Sequence, residues 1–475
     1  MNEQQIAELN ALAAQRDEWK RRNRYYHDAL TRLYRFFVPD KQRVLEVGCG
    51  TGDLLVALKP AHGVGLDPSS TAVETACRKY ADRNNVAFRQ DEAETFCLNE
   101  TFDYVIMADT IGFVRDVQRA LENLRQVMTA RSRLIINAHN FLWEPVLRLA
   151  ECLGLKQKQP QQNWLAMSDM LNLIYLAGYE VVHREGFMLL PVGVPFLSAF
   201  INGFLAKLPL IQHLTVAQFI IARPVYQPPR ELADQHTVSV LVPARNEAGN
   251  IEAALTRTPA MGAWTEMIFV EGGSSDNTWA EIQRVKEQFP DRRIKIMQQD
   301  GKGKADAVRK GFANAAGDIL MILDADLTMP PEDLPKFYRA IADNKGEFVN
   351  GVRLVYPMEG KAMRLLNLYA NKFFSLAFSF ILGQTYKDTL CGTKVLWRVD
   401  YERLAAGRGY FGEFDPYGDF DLLFGAAKLN LRTVEIPIRY KERTYGETNI
   451  SRFSGGWLLL RMAWIGFKKF KWNVR

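Results

Sequence analysis

The chain has 475 residues, 48% hydrophobic and 24% charged, with a net charge of +6. Such a length exceeds one ordinary hydrophobic core and predicts two domains. The composition excludes a disordered or fibrous chain, and the mild charge permits acidic ligands and membrane surfaces without arguing for either.

Five cysteines (Cys49, Cys77, Cys97, Cys152, Cys391) form no C-x-x-C pair and are odd in number, which suits a reducing compartment. The polar, acidic start carries no signal peptide, so a cytoplasmic location is expected. Residues 6–37 place Leu9, Leu12, Leu30, Leu33 and Tyr34 among charged positions, a helical pattern. Lys20-Arg21-Arg22 within it reads as a solvated face.

Val44 to Leu55, V-L-E-V-G-C-G-T-G-D-L-L, predicts a short strand, a turn at Gly48-x-Gly50-x-Gly52 and a helix. Glycines let the backbone turn tightly and approach a ligand, with a helix N-terminus behind them. The spacing differs from the dinucleotide pattern G-x-G-x-x-G. A second strand, residues 63–67, closes on Asp67, placed to accept hydrogen bonds from ribose hydroxyls. Further strands fit Tyr104–Ala108 and Leu134–Ala138 with helical spans between, which predicts a doubly wound α/β sheet.

Residues 186–206 are uncharged and long enough to span a membrane. Pro191, Gly193, Pro195, Ser198, Asn202 and Gly203 interrupt them, so an apolar cap or interfacial element is expected instead. Residues 217–223 read as the last strand of the same sheet. The insert near 187–214 is then either an apolar lid for a greasy substrate or a packing or dimerisation surface.

These residues resemble the class I S-adenosylmethionine-dependent methyltransferases, from about Tyr25 to Pro224. The resemblance implies that Glu46, Gly48, Gly50 and Gly52 contact the cofactor, the glycines along its methionine portion. It implies that Asp67 holds the ribose, that Asp91 or Glu92 lies near the adenine, and that Asp109 in the A-D-T turn stands at the mouth of the site. Methyl transfer to an alcohol usually needs a base, and His139, at a strand's carboxyl end, is the candidate. Domain boundaries of 1–227, a linker at 228–236 and 237–475 follow from the polar, proline-bearing Tyr226-Gln227-Pro228-Pro229-Arg230-Glu231.

The second domain repeats the strand-then-polar pattern. Val238–Pro243 runs into Ala244-Arg245-Asn246-Glu247, and Ile268–Val270 into Glu271-Gly272-Gly273-Ser274-Ser275-Asp276. Gly301-Lys302-Gly303-Lys304 is a loop with two cations entering a helix, suited to a diphosphate. Ile319 to Leu323 predicts a fully buried strand ending in Asp324-Ala325-Asp326. Carboxylates at i and i+2 on an extended chain point to one side, so both can reach one divalent ion.

This ordered series resembles glycosyltransferase family 2 with its GT-A fold, over about Thr237 to Arg452, and within it the polyprenyl-phosphate sugar transferases. The resemblance implies nucleotide-sugar contacts at Pro243, Ala244, Asn246, Glu247, Glu271, Lys302, Lys304 and Ala325, and a metal, Mg²⁺ or Mn²⁺, on Asp324 and Asp326. Glu271 and Gly272 stand where the family usually has two aspartates, and Thr328 where the phosphate-sugar synthases have glutamine. Arg353 matches a basic position toward the acceptor and Lys394 the basic residue of D-x-x-C-G-x-[KR], and the resemblance implies that Arg443, in E-R-x-x-G-x-[ST], faces the diphosphate. A phosphate acceptor needs only such cations; a hydroxyl acceptor needs a base, for which Asp419 or Asp421 in Y-G-D-F-D is the candidate.

The uncharged stretch 373–386 and the aromatic-basic tail 461–475 suit a membrane interface, with packing on the parent domain as the alternative. The expectation is a bifunctional enzyme, cytoplasmic or peripheral on the inner face of the cell membrane, that transfers a methyl group and a sugar in envelope-glycan synthesis. Its partners are a nucleotide-diphospho-sugar and a lipid-linked or glycan acceptor, with no nucleic acid. The rivals are a glycosyltransferase carrying a non-catalytic S-adenosylmethionine-binding scaffold, and a membrane-docking assembly protein with degenerate sites.

Overall fold

The computed structural model describes residues 3–160, 162–353, 365–412, 418–441, 443, 445 and 452–472. The chain divides into two compact units, Met1–Tyr226 with Lys471–Arg475, and Gln227–Phe470. The expected linker is not a free tether. It contains the short helix Arg230–Ala233, and Ala233 O accepts a hydrogen bond from Tyr338 Oη at 2.6 Å.

The first unit opens with three helices, α1 (Glu3–Ala13), α2 (Arg16–Arg22) and α3 (Arg24–Phe37), where one helical stretch was expected. Its strands are β1 (Arg43–Val47), β2 (His62–Asp67), β3 (Val86–Gln90), β4 (Phe102–Ala108), β5 (Met128–His139), β6 (Tyr179–Phe187) and β7 (Ala217–Pro224). They form one sheet in the order β3-β2-β1-β4-β5-β7-β6. β1 to β5 are parallel, and β7 lies antiparallel to both β5 and β6.

Both faces of this sheet are covered, and the two-residue period of a strand decides which side chain goes where. Tyr104 and Ile106 face Leu30, Leu33, Tyr34 and Phe37 of α3. Val105 and Met107 face Leu121, Leu124, Met170 and Ile174 on the other side. The apolar insert is a short helix, Leu197–Gly203, with single turns at Leu205–Lys207 and Ile211–Leu214. Among the described residues no helix is long and apolar enough to cross a membrane.

The second unit has strands β8 (Val238–Ala244), β9 (Thr265–Glu271), β10 (Arg293–Gln298), β11 (Ile319–Ile322), β12 (Phe348–Val352), β13 (Lys394–Trp397) and β14 (Thr433–Pro437). Their order is β10-β9-β8-β11-β13-β12-β14, with β13 antiparallel to both β11 and β12. Both units are mixed seven-stranded α/β sheets, as a methyltransferase of Rossmann-like fold and a GT-A domain require. In each, strand order reverses beside the first strand, at β1/β4 and at β8/β11. Such a switch point opens a crevice at the carboxyl ends of the strands, where open α/β sheets bind ligands.

Candidate functional sites

In the first unit the register Val47↔Leu66 sets the ends of β1 and β2 side by side. The glycine loop therefore starts next to Asp67. Gly48, Gly50 and Gly52 take φ of +75°, +53° and +80°, a region that penalises any Cβ, and a Cβ at Gly48 would sit 2.3 Å from Thr110. Asp67 is buried with both oxygens engaged: Oδ2 accepts from Gly50 N at 2.8 Å and Oδ1 from Ser69 N at 2.9 Å. It therefore fixes the loop as well as offering its remaining lone pairs. Asp91, at the end of β3, stands one strand away, its N–H on Asp67 O at 3.2 Å. Neither Asp91 nor Glu92 lines the cavity below.

That cavity, about 340 Å³, is lined by Gly48, Asp67, Ser69, Asp109 and His139 among others, with Arg16, Trp19 and Tyr26 from the N-terminal helices. Asp109 follows β4 at φ +52°, a conformation that costs a non-glycine residue energy and persists where surroundings hold it. Here Tyr26 Oη donates to both of its carboxylate oxygens at 3.1 Å, and Asn137 Nδ2 to Oδ1 at 2.5 Å. Tyr34 Oη in turn donates to Asn137 Oδ1 at 2.7 Å. His139 stacks on Tyr26 with ring centres 6.1 Å apart, and burial lowers its pKa. Burial likewise pushes His27 down to about 4. Desolvation pushes Glu46, buried on β1, up to about 8 despite Lys20 and Arg16 nearby. From the insert, Pro191 and Val192 reach the cavity wall, while Phe196 and Leu210 are 93% and 86% exposed.

In the second unit the carboxylates of Asp324 and Asp326 do not share one face of an extended strand. β11 ends at Ile322, and Leu327 N bonds back to Asp324 O at 3.1 Å, closing a turn with Leu327 at φ +52°. Each carboxylate then meets its own cation. Asp324 Oδ1 takes Lys304 Nζ at 2.6 Å; Asp326 Oδ2 takes Arg443 Nη2 at 2.7 Å. Thr328 donates to Asp326 Oδ1 through its N–H (3.1 Å) and hydroxyl (2.8 Å). Arg443 also reaches Glu247 Oε1 at 3.2 Å, which ties the loop after β8 to the turn after β11. Burial would raise the carboxyl of Asp324, yet Lys304 holds it below the usual range. Gly392 packs against the same carboxylate so closely that a Cβ there would lie 1.9 Å from Asp324 Oδ2.

The antiparallel turn of β13 explains how distant residues join this group. With Met321 opposite Val395, Lys394 falls beside the end of β11, and Asn350 opposite Lys394 brings Arg353 to the same edge. Lys394 is fully buried, its ammonium on Cys391 O and 3.4 Å from Asp419 Oδ1. That oxygen is buried and makes no hydrogen bond.

Two of the expected residues are already held by ion-pair partners. Asp421 pairs with Arg408 (2.7 Å) and Arg309 (3.5 Å), whereas Asp419 lies beside Lys304 and Lys394. Arg353 is held bidentately by the buried Asp388 at 2.7 and 2.8 Å, so its charge is already matched. Asp388 begins the run Asp388-Thr389-Leu390-Cys391-Gly392-Thr393-Lys394, and nothing local to that run names Arg353 as its partner.

The loop after β8 is stitched to the loop after β9: Asn246 N donates to Ser274 Oγ (3.0 Å), and Glu247 N to Thr278 Oγ1 (2.9 Å). Ala244 O accepts from Gly272 N at 2.9 Å. Pro243 is partly exposed beside it, and Ala325 is buried. Glu271 is buried, its Oε1 on Ser274 N at 2.5 Å. Lys302 is exposed at the loop before the helix Lys304–Ala313. Glu442, Thr444, Gly446, Glu447 and Thr448 of the last motif lie outside the described residues.

Hard carboxylate oxygens suit Mg²⁺ or Mn²⁺, and Asp324 and Asp326 offer two such groups. Among the described residues no cluster of three or more His, Cys, Asp or Glu could hold a metal. An ion at this turn would compete with Arg443 for Asp326.

Two family models match the chain: glycosyl transferase family 2 over residues 239–404, and a methyltransferase domain over residues 45–134. The chain carries both domains, and both are transferase domains. A dolichol-phosphate mannosyltransferase of Pyrococcus furiosus is 36% identical over 120 residues, 25% of this chain and 33% of that protein. An undecaprenyl-phosphate 4-deoxy-4-formamido-L-arabinose transferase of Edwardsiella ictaluri is 30% identical over 219 residues, 44% of this chain and 62% of that one. The chain thus spans less than two thirds of the length of these curated relatives. Among solved structures, a methyltransferase in complex with the Trm112 activator of Haloferax volcanii has 17% identity and a TM-score of 0.37, covering 46% of this chain and 98% of that chain.

Proposed function

We propose that the chain is a bifunctional transferase. Its second unit moves a sugar from a nucleotide diphosphate to a polyprenyl phosphate, and its first unit moves a methyl group from S-adenosylmethionine to a lipid-linked or glycan acceptor. One observation carries the sugar half: Asp324–Lys304 and Asp326–Arg443, paired at the switch point of a family 2 domain. The cations that a departing diphosphate needs are already in place, held by the two carboxylates.

In an inverting transfer the acceptor oxygen attacks the anomeric carbon and negative charge builds on the leaving diphosphate. Lys304 and Arg443, assisted by Lys302, stabilise that charge, and preoriented groups do so without reorganisation at the moment of reaction. A divalent ion, Mg²⁺ or Mn²⁺, would rest on Asp324 and Asp326 and supply Lewis-acid neutralisation of the diphosphate. A phosphate acceptor is anionic and needs orientation, for which Arg353 and Lys394 are the cations. Asp419, beside Lys394 and Lys304, would serve as base for a hydroxyl acceptor.

In the first unit, bound S-adenosylmethionine supplies an electrophilic methyl group. Asp67 and the glycine loop position it, and His139, kept neutral by burial, together with Asp109 faces the cavity where the acceptor would stand.

The enzyme lies peripherally on the inner face of the membrane. Two helices of the second unit, Leu365–Leu382 and Arg452–Phe467, pack together. They leave Phe373, Leu376, Trp457, Leu460 and Trp464 exposed beside the exposed cations Lys372, Arg461 and Lys468. Apolar groups ringed by lysine and arginine suit an anionic bilayer surface. The opposite side of the tail packs at home: Met462 is buried and Phe470 stacks on Phe411.

A thermal-shift panel tests the whole reading: S-adenosylhomocysteine, then UDP, GDP and CDP with and without Mg²⁺ or Mn²⁺. A ligand at a hundredfold excess over its Kd adds about 2.7 kcal/mol of stability. Two separate shifts, one metal-dependent, are expected. No nucleotide shift under any metal would sink the sugar half, and no S-adenosylhomocysteine shift the methyl half.

A further inference from the structure

The cavity of the first unit is roofed by α1 and α2, and the roof is latched to the ends of β1 and β2. Asn10 Oδ1 accepts from Ser69 Oγ at 2.6 Å and from Thr71 N at 3.3 Å. Asp17 accepts from Thr51 Oγ1 at 2.7 Å and from Lys79 Nζ at 3.0 Å. Lys20 Nζ donates to Asp53 at 2.7 Å and to Thr51 Oγ1 at 3.1 Å. Every one of these latches is a satisfied polar pair.

Arg16 is the exception. It is partly buried in the middle of the roof and lines the same cavity as Gly48, Asp67 and Ser69. Its guanidinium lies over the glycine loop: a Cβ on Gly50 would meet Arg16 Cζ and Nε at 2.9 Å. Among the described residues the guanidinium has no hydrogen bond or ion pair. Glu46, within its field, is 3% exposed, and Glu46 Oε2 has no hydrogen-bond partner either. The pocket thus holds a partnerless cation over the glycine loop, and a partnerless buried carboxyl oxygen lies at the strand end that precedes this loop, outside the cavity lining, while the carboxylates of Asp67 and Asp109 on the cavity wall have hydrogen-bond partners. A lone anion such as phosphate would suit Arg16 but would bring like charge near Asp67 on the same cavity wall. An α-amino acid brings both signs.

We propose that Arg16 binds the carboxylate of the cofactor's amino-acid end, so that α1 and α2 close onto the cofactor by a direct charge-assisted bond as well as by their latches. The inference rests on the reading of this unit as an S-adenosylmethionine site. It makes the N-terminal helices part of the binding site and makes cofactor exchange depend on lifting them.

Isothermal titration calorimetry on the full chain tests it with S-adenosylhomocysteine and its decarboxylated analogue, against wild type and Arg16→Gln. Charge-assisted hydrogen bonds of this kind correspond to about ten- to hundredfold in affinity. Arg16→Gln is expected to weaken S-adenosylhomocysteine by that factor and to leave the decarboxylated analogue unchanged. Wild type should discriminate against the analogue by the same factor. Equal weakening of both ligands would mean that Arg16 only supports the roof, and no weakening of either would mean that it does not touch the cofactor; both overturn the proposal. Wild type that binds neither ligand removes the cofactor reading itself, and this inference with it. Asn10→Ala, which loosens a latch without touching the guanidinium, serves as control and should weaken both ligands alike.

Discussion

The two sites sit at equivalent switch points of two seven-stranded sheets and handle charge in opposite ways. Around the first cavity, burial pushes His27 and His139 down and Glu46 up, toward their neutral forms, while Asp53 on the latch is held low by Lys20 and Lys79. In the second, pairing overrides burial at two pairs: Lys304 holds Asp324 ionised, and Asp388 and Arg353 hold each other charged. The contrast follows the chemistry proposed for each. Methyl transfer from a sulfonium disperses a positive charge, and a neutral, enclosed pocket suits it. Departure of a diphosphate concentrates negative charge, and only cations kept in position before the reaction can meet it.

If that contrast is right, the largest effects belong to the paired site. Asp326→Ala breaks the 2.7 Å pair with Arg443 and removes half of the carboxylate pair. Sugar transfer to polyprenyl phosphate, measured as radiolabel entering the lipid fraction, is expected to fall about 10³-fold or more. Binding of S-adenosylhomocysteine by the same folded variant should not change; its loss would end the idea of two independent sites. Arg353→Ala probes the buried pair next. Leaving the Asp388 carboxylate, 2% exposed, without its cation is expected to destabilise the second unit by about 3–5 kcal/mol. Arg353→Ala with Asp388→Asn should recover much of that in a denaturant titration. A stable Arg353→Ala that has lost only acceptor affinity would show that Arg353 serves the acceptor more than the fold.

The first unit should respond more mildly. Asp67→Asn keeps the shape but loses one of the two carboxylate oxygens that Gly50 N and Ser69 N bond separately. Affinity for S-adenosylhomocysteine is expected to drop about ten- to hundredfold by calorimetry, with nucleotide binding in the second unit intact.

Much of this was legible in the sequence where strand ends and glycines coincide. Gly48-x-Gly50-x-Gly52 and Asp67 are local punctuation, and parallel pairing of β1 with β2 is the default for such a segment. The buried run 319–323 likewise announced β11. What could not be read was long-range pairing. Tyr26 belongs to an amphipathic helix whose pattern says only that it faces inward; that it finds Asp109, 83 positions away, depends on how α3 crosses the sheet. Asp421 looked equivalent to Asp419, yet one side of the helix Asp419–Lys428 turns Asp421 toward Arg408. The expected geometry of Asp324 and Asp326 failed for a related reason. It assumed an extended chain, whereas the strand stops at Ile322 and a turn splits the two carboxylates between two cations.

The smallest effect is also the sharpest test of the neutral-pocket idea. Glu46 has a folded-state pKa raised by burial to about 8, against about 4.3 in an unfolded chain. A raised pKa means the native state holds the proton more tightly, so the contribution is fully present below about pH 4 and is lost as pH climbs through about 8. Across that window one retained proton corresponds to a slope of at most about 1.4 kcal/mol per pH unit. Burial raises Glu247 in the second unit too, so the slope of the wild type alone does not isolate Glu46. The difference between wild type and Glu46→Gln does: melting temperatures measured from pH 5 to 8 should converge at the acid end and diverge toward pH 8, with the variant more stable there. Bound ligand should reverse the order. An ammonium brought next to Glu46 favours its charged form, so S-adenosylhomocysteine binding near pH 6.5 is expected to release a proton, read from calorimetry in buffers of different ionisation enthalpy. Glu46→Gln should abolish that release. Parallel pH profiles for the two proteins, with no proton release in either, would mean that this pocket is not neutral in the way its burial requires.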